Sequence, residues 1–168
     1  MTVRTPEPDH NVTVAHFYPV KPFLYRSAQP RLHEYEQLPA LKVRTIFNLR
    51  EELLGTSQLQ EIERETARLG IQHIHIPLCF TQPPSVRLSE YLGTINAARK
   101  SGEAVLVHCA HGMDRTGFMI GAYRILVEDW DFDRTFREML SYGFHAILLE
   151  FVDTLRAMAG ESAKLRSL

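Results

Sequence analysis

The feature that most constrains the fold is a short apolar run, residues 104–107, that leads directly into a polar loop and then into a helical pattern. A strand that is apolar on both faces is typical of a sheet with helices on both sides. Other segments alternate between strand-like and helix-like periodicity, at 43–49, 57–69, 71–76 and 88–101. This alternation predicts a single α/β domain with a central, mostly parallel sheet of four to five strands flanked by helices.

The other elements are predicted from proline turns and helical spacing. They comprise two short strands, a short helix and three late helices, at 12–17, 23–25, 30–41, 115–128, 132–142 and 146–159. Leu140 and Ile147 are expected to face the core from the last two helices. We expect 1–11 to be a flexible N-terminus, 12–160 to be the folded domain and 161–168 to be a C-terminal tail.

The charge and the cysteine content limit the partners of the chain. With 19 Lys and Arg against 20 Asp and Glu among 168 residues, the formal net charge is −1, so no overall field attracts nucleic acid. No apolar run reaches the ~18 residues that a membrane-spanning helix needs. Cys79 and Cys109 are too few for a disulfide framework, which favours a reducing, cytoplasmic location, with export after removal of a signal peptide left open. We expect a monomer.

The loop after the strand at 104–107 has the sequence HCAHGMDRTG, residues 108–117. A loop that joins a strand to a helix N-terminus directs several backbone N–H groups and the helix dipole into one concavity. Gly112 permits a backbone conformation that other residues resist, and Arg115 adds a planar donor that matches phosphate oxygens. The pattern therefore predicts a pocket for a tetrahedral dianion with Cys109 at its base.

The same positive surroundings favour the thiolate form of Cys109, which is a nucleophile towards a bound phosphorus atom. Thr116 lies where its hydroxyl can donate to the sulfur and help it leave again. His108 is expected to support the sulfur through hydrogen bonding. The alternative is a buried structural cysteine beside an interhelical salt bridge.

At these residues the sequence resembles the cysteine-dependent protein tyrosine and dual-specificity phosphatase superfamily, whose signature is HCxxGxxR followed by Ser or Thr. Four other segments resemble the framework of its small atypical bacterial members: YRSAQP at 25–30, TIFNLR at 45–50, GIQHIHIPL at 70–78 and EMLSYGFH at 138–145. The resemblance implies a dual-specificity-phosphatase-like fold and a two-step mechanism without a cofactor. Cys109 takes the phosphoryl group, and water then hydrolyses the phosphocysteine.

The general acid of this mechanism is not evident from the sequence. Many family members carry an aspartate on a loop about thirty residues before the cysteine, but the corresponding segment here, 77–88, contains no Asp or Glu. Asp114 precedes Arg115, and an aspartate at this position resembles the myotubularins and a group of bacterial phosphatases. That resemblance implies that Asp114 is the acid and then the base. Alternatively, Asp114 points outward or only orients Arg115, and water or the substrate carries the proton. The more distant carboxylates that remain candidates are Glu51, Glu52 and Glu90.

Further site residues lie in the loop or at the predicted ends of strands. Those expected to contact substrate are Ala110, His111, Gly112, Met113 and Arg50, and those expected to support the loop are His108, Asn48 and Ser27. Arg50 has the alternative of a salt bridge with Glu51 or Glu52. For His145 we expect a packed, hydrogen-bonded histidine rather than a ligand.

The cysteines have two further candidate roles, in a disulfide and in a metal site. Cys79 either protects Cys109 through a transient disulfide or is a small buried residue. No metal is expected, because His108, Cys109 and His111 would need another ligand to complete a tetrahedral zinc site.

The resemblance leaves two classes of substrate open, an inositol phosphate or phosphoinositide and a phosphotyrosine protein. Asp114 and the cationic side chains expected near the pocket favour inositol phosphates; these side chains are Lys21, Arg26, Arg50 and His111. The alternative function is a phosphate-recognition module without catalysis, which would bind phosphorylated partners through the same loop.

Overall fold

The computed structural model describes residues 11–81 and 87–167. The segment expected to be a flexible N-terminus therefore lies outside the described residues apart from Asn11, as does the middle of 77–88. The strands of the described ranges are β1 (Tyr18–Lys21), β2 (Leu24–Ser27), β3 (Val43–Arg50), β4 (Gln72–Leu78) and β5 (Ala104–His108). The α-helices there are α1 (Ser57–Arg68), α2 (Leu88–Ser101), α3 (Asp114–Glu128), α4 (Phe132–Ser141) and α5 (Leu149–Arg166). None of these helices is long and apolar enough to span a membrane.

The five strands form one sheet in the order β1-β2-β5-β3-β4. Only β1 runs antiparallel to its neighbour, while β2, β5, β3 and β4 are parallel. The predicted α/β fold with a mostly parallel sheet is therefore confirmed. Ser27 and Asn48 both lie opposite His108 in the strand register, so β2 and β3 flank the point where β5 leads into the cysteine loop.

The core lies on both faces of this sheet. Phe47 and Val107 point to the face covered by α2, α3 and α5, whereas Ile46 and Leu106 point to the face covered by α1 and the preceding turns. All four side chains are fully buried. Because β5 is buried on both faces, its continuous apolar run was a reliable indicator of a central strand.

Several predicted elements are wrong in position or type. The strand expected at 12–17 is absent, and the chain turns there before β1 begins. The helix expected at 30–41 is a pair of short 3₁₀ helices at Leu32–Gln37 and Pro39–Leu41.

The last two helices also differ from expectation. Ile147, expected in the core, is 83% exposed because α5 begins two residues after it. Leu140 is 44% exposed and does not face the core either. Helix α5 continues to Arg166, beyond the predicted end at 159.

Candidate active site

The loop between β5 and α3 folds around the sulfur of Cys109. This side chain is only 3% exposed, and its Sγ accepts a hydrogen bond from the backbone N–H of Gly112 at 3.2 Å. Gly112 has a φ of +74°, and a Cβ atom built there would lie 2.5 Å from the carbonyl carbon of Ser27. Glycine is therefore required at this position both by its backbone conformation and by the close approach of β2.

The segment that ends β2 holds the loop from outside. Arg26 is buried, and its Nη2 donates to the carbonyl oxygen of Gly112 at 2.8 Å. Its guanidinium lies 4.0 Å from the centre of the Tyr142 ring, and burial lowers its pKa from the ordinary value. The backbone N–H of Gln29 donates to the carbonyl of Ala110 at 3.1 Å. Arg26 thus supports the loop from within the protein, and its charge does not lie at the open side of the site.

Arg115 enters the site from the first turn of α3, paired with a carboxylate from the turn that follows β3. Its two terminal nitrogens donate to Glu52 at 2.7 and 3.2 Å, and the ring of Phe80 lies 5.1 Å from its guanidinium carbon. Nη1 also donates to the carbonyl of Leu49 at 3.5 Å, so these contacts orient the guanidinium and leave its other N–H groups for an anion.

Glu52 orients Arg115, a role that its position in the sequence did not indicate. The hydrogen bond from Arg115, and a second one from Arg50, lower the pKa of the Glu52 carboxyl to about 2. It is therefore ionised at neutral pH and has no proton to donate, which removes it as a candidate general acid. The sequence signal was the pair of acidic residues directly after β3, the neighbour of the cysteine strand.

Arg50 forms the salt bridge that was considered as its alternative. Its Nε donates to Glu52 at 2.8 Å, and its Nη1 donates to the side chain of Gln29 at 3.4 Å. The guanidinium lies at the expected edge of the sheet, but its charge is partly neutralised by the same carboxylate that orients Arg115.

Three expected supporting residues make hydrogen bonds close to the loop. The Oγ of Ser27 donates to the carbonyl of Ala28 at 2.7 Å, and the Ser27 backbone lies against Gly112. The Oδ1 of Asn48 accepts from the backbone N–H of Arg50 at 3.1 Å and stabilises the end of β3. The Nδ1 of His108 lies 3.3 Å from the carbonyl oxygen of Cys109.

Thr116 is fully buried directly after Arg115. Its Oγ1 has no hydrogen-bond partner within residues 11–81 and 87–167. Because a buried hydroxyl without a partner is costly, this atom is a candidate donor to a group that forms during the reaction.

The other residues of the loop are arranged around its mouth. His111 is exposed, and Ala110 is partly exposed. Met113 is also partly exposed and packs towards Gly143, where a built Cβ would lie 3.1 Å from its sulfur. Cys79 and Cys109 are both free thiols, and Sγ of Cys79 lies 3.2 Å from the hydroxyl of Thr81.

Asp114, the candidate acid, is engaged by His145. Its Oδ1 accepts the backbone N–H of His145 at 2.8 Å, and both carboxylate oxygens lie 3.0 Å from the Nδ1 of the same residue. His145 is hydrogen-bonded as expected, but it is not packed, because 64% of its side chain is exposed. No sequence pattern paired these two residues. In the described ranges no group of three or more His, Cys, Asp and Glu side chains is placed to hold a metal ion.

The buried histidines next to the site make the fold sensitive to acid. Burial lowers the pKa of His108 to about 3 and that of His73 to about 4, both from 6.5. Between these lowered pKa values and pH 6.5 the unfolded chain binds more protons than the folded chain. The free energy of unfolding therefore falls as the pH falls below 6.5. Between about pH 7 and about pH 5 we expect the free energy of unfolding to drop by about 4 kcal/mol from these two residues.

Urea unfolding across this pH range measures the drop. The His73→Gln variant should lose roughly half of it, whereas His33→Gln, which removes an exposed histidine, should behave as the wild type. An unchanged pH dependence in His73→Gln would contradict the assignment.

Comparisons with known proteins agree with this geometry. A family model described as "Tyrosine phosphatase family" matches residues 11–155. The dual specificity protein phosphatase TpbA of Pseudomonas aeruginosa strain UCBPP-PA14 is 31% identical over 130 residues, which cover 76% of this chain and 54% of TpbA. The chain thus spans about half the length of the curated relatives it matches.

Similar structures extend over nearly the whole chain. The crystal structure of P. aeruginosa TpbA has a TM-score of 0.68 at 25% identity and covers 92% of this chain and 96% of its own. The crystal structure of PTPMT1 has a TM-score of 0.73 at 15% identity, with 90% and 98% covered, and this likeness concerns the fold alone. The matched family range contains all five strands and the complete cysteine loop. The chain therefore belongs to the tyrosine phosphatase family.

Proposed function

We propose that this chain is a cysteine-dependent phosphatase that hydrolyses phosphomonoesters through a phosphocysteine intermediate. The observation that carries the proposal is the cysteine loop, in which a buried sulfur accepts the Gly112 N–H at the N-terminal end of α3. Arg115, oriented by Glu52, adds a guanidinium at the same place. Binding of phosphate alone needs no thiol, whereas displacement at phosphorus needs a nucleophile held at this position.

The two chemical steps use the same loop. In the first step Cys109 Sγ attacks phosphorus, the bond to the leaving oxygen breaks, and that oxygen takes up a proton. Backbone N–H groups of the loop and Arg115 stabilise the charge on the other phosphate oxygens. In the second step water attacks the phosphocysteine, the S–P bond breaks, and Thr116 donates a hydrogen bond to the departing sulfur. We assign the proton transfers of both steps to the hydrogen-bonded pair of Asp114 and His145.

We propose a phosphotyrosine protein as the substrate class. The cations that favoured an inositol phosphate are largely engaged: Arg26 is buried, Lys21 pairs with Glu128, and Arg50 pairs with Glu52. The site thus offers strong recognition for a single phosphate. The partly exposed ring of Phe80, beside Arg115, is suited to contact with an aromatic group. A relative supports this class, since one TpbA structure contains bound pTyr.

A panel of substrates tests both levels of the proposal. We expect turnover of p-nitrophenyl phosphate and of a phosphotyrosine peptide, with a kcat/KM for inositol hexakisphosphate at least about tenfold lower than for the peptide. Preferential turnover of the inositol phosphate would overturn the substrate class and leave the phosphatase assignment intact. A wild-type protein that hydrolyses none of the three would overturn the function itself.

A further inference from the structure

The segment that follows α4 packs against the cysteine loop at several points. The Tyr142 ring lies under Arg26, which in turn binds the carbonyl of Gly112. At the next position, a Cβ built on Gly143 would lie 3.1 Å from the sulfur of Met113. His145, two residues further on, is held beside the loop by the hydrogen bond from its backbone N–H to Asp114.

The contact between His145 and Asp114 orients the imidazole ring. The backbone N–H of His145 can only donate, so the Asp114 oxygen that it meets at 2.8 Å is an acceptor. Nδ1 lies 3.0 Å from both oxygens of the same carboxylate, which places the Nδ1 proton between the two groups. Nε2 is then the nitrogen that is free to exchange a proton with another molecule.

Of the other carboxylates considered as acids, Glu52 and Glu90 are engaged by arginines, and Glu51 is exposed at the start of the turn that follows β3. Glu52 is held ionised by two arginines. Glu90 accepts a hydrogen bond from Arg87 at 3.2 Å on the exposed start of α2. The segment 77–88 contains no acidic residue. The exposed ring of His145 is hydrogen-bonded to Asp114, the residue that precedes Arg115, which makes His145 a candidate source of the proton for the leaving group.

We propose that His145 is the acid and base of the reaction and that Asp114 is the residue that positions it. In the first step the Nε2 proton of the imidazolium passes to the leaving oxygen as the P–O bond breaks and the S–P bond forms. In the second step Nε2 takes a proton from the water that attacks phosphorus as the S–P bond breaks. One proton is given and one is regained, so the cycle needs no further reactant. This proposal rests on the proposed phosphatase function.

A series of substituted phenyl phosphates tests the role of His145, because kcat/KM reports only the first step. In His145→Gln we expect kcat/KM for unsubstituted phenyl phosphate to fall about 100-fold, whereas the value for p-nitrophenyl phosphate changes less than about threefold. A good leaving group departs without a proton, so the dependence of kcat/KM on leaving-group acidity should become steeper. A residue that only stabilises the loop would lower both values together.

Rapid mixing with p-nitrophenyl phosphate tests the second step. In His145→Gln the water attack lacks its base, so kcat should fall after a burst of about one p-nitrophenol per protein molecule. In Asp114→Asn the amide oxygen still accepts from the His145 N–H but carries no charge. We therefore expect a loss of about tenfold on phenyl phosphate, smaller than that of His145→Gln.

The outcomes separate this inference from the function on which it rests. His33→Gln, an exposed histidine outside the site, should keep the wild-type dependence on the leaving group. If Asp114→Asn loses more than His145→Gln, Asp114 is itself the acid and our proposal is wrong. It is also wrong if His145→Gln lowers kcat/KM equally on both esters. If the wild type does not hydrolyse p-nitrophenyl phosphate at all, the phosphatase function fails before this question arises.

Discussion

Replacing Cys109 with serine should lower kcat for p-nitrophenyl phosphate by at least about 10⁴-fold. A serine hydroxyl is far less ionised than a thiol in the same surroundings and is a much weaker nucleophile towards phosphorus. The fold should survive, because the serine oxygen can accept the Gly112 N–H that the sulfur accepts at 3.2 Å. Binding of a phosphotyrosine peptide, measured by calorimetry, should therefore be retained within roughly threefold.

The second cysteine provides a matched control for this substitution. Cys79 is free and its sulfur contacts Thr81, so Cys79→Ser should leave turnover unchanged. Acid quenching of the wild type during turnover should trap a phosphorylated protein that Cys109→Ser does not form. Turnover by Cys109→Ser within tenfold of the wild type would contradict the nucleophile assignment. An inert wild type whose affinity Cys109→Ser leaves unchanged would favour the phosphate-recognition module.

The parts of the molecule that were predictable are those encoded by neighbouring residues. The buried strand at 104–107, the glycine inside the loop and the helix that begins at Asp114 are one continuous segment. Parallel strands place their carboxyl ends at one edge, so the proximity of β2 and β3 to the cysteine loop also followed from the pattern.

The residues that orient the side chains of the site were harder to predict, because they come from distant parts of the chain. Arg26 and Gly112 are 86 residues apart, Glu52 and Arg115 are 63 apart, and Asp114 and His145 are 31 apart. Each charged side chain has several possible partners at the edge of the sheet, and only the packed structure selects among them. Arg26 illustrates this, since its charge suggested a rim position whereas Tyr142 and the loop carbonyl hold it inside.

The exposed ends of helices were mispredicted for a related reason. Helical spacing indicates which residues share a face, but it does not show where a helix begins. Ile147 shares the spacing of the buried Phe151, yet it precedes the first residue of α5 and lies in solvent. Apolar residues at the end of a helix are therefore less reliable predictors of burial than apolar residues in the middle of the helix.

Substituting Gly112 with alanine should remove activity almost as completely as loss of the cysteine. The new Cβ would lie 2.5 Å from the Ser27 carbonyl carbon and 2.6 Å from its oxygen, so the loop has to move away from β2. That movement shifts the N–H bound to Cys109 and the carbonyl bound to Arg26. We expect kcat/KM for p-nitrophenyl phosphate to fall on the order of 10³-fold, since displacements of about 1 Å in an active site have large effects.

Two other glycines separate the causes of this effect. Gly102 ends α2 with a φ of +75° and has open space where a Cβ would lie, so Gly102→Ala should cost about 1 kcal/mol of stability from backbone strain alone. Gly93 lies inside α2 with open space and no such φ, so Gly93→Ala should be neutral or stabilising. Both variants should keep full activity, because neither position contacts the cysteine loop. If Gly112→Ala resembles Gly102→Ala in activity, the close contact with β2 does not hold the loop in its reactive shape.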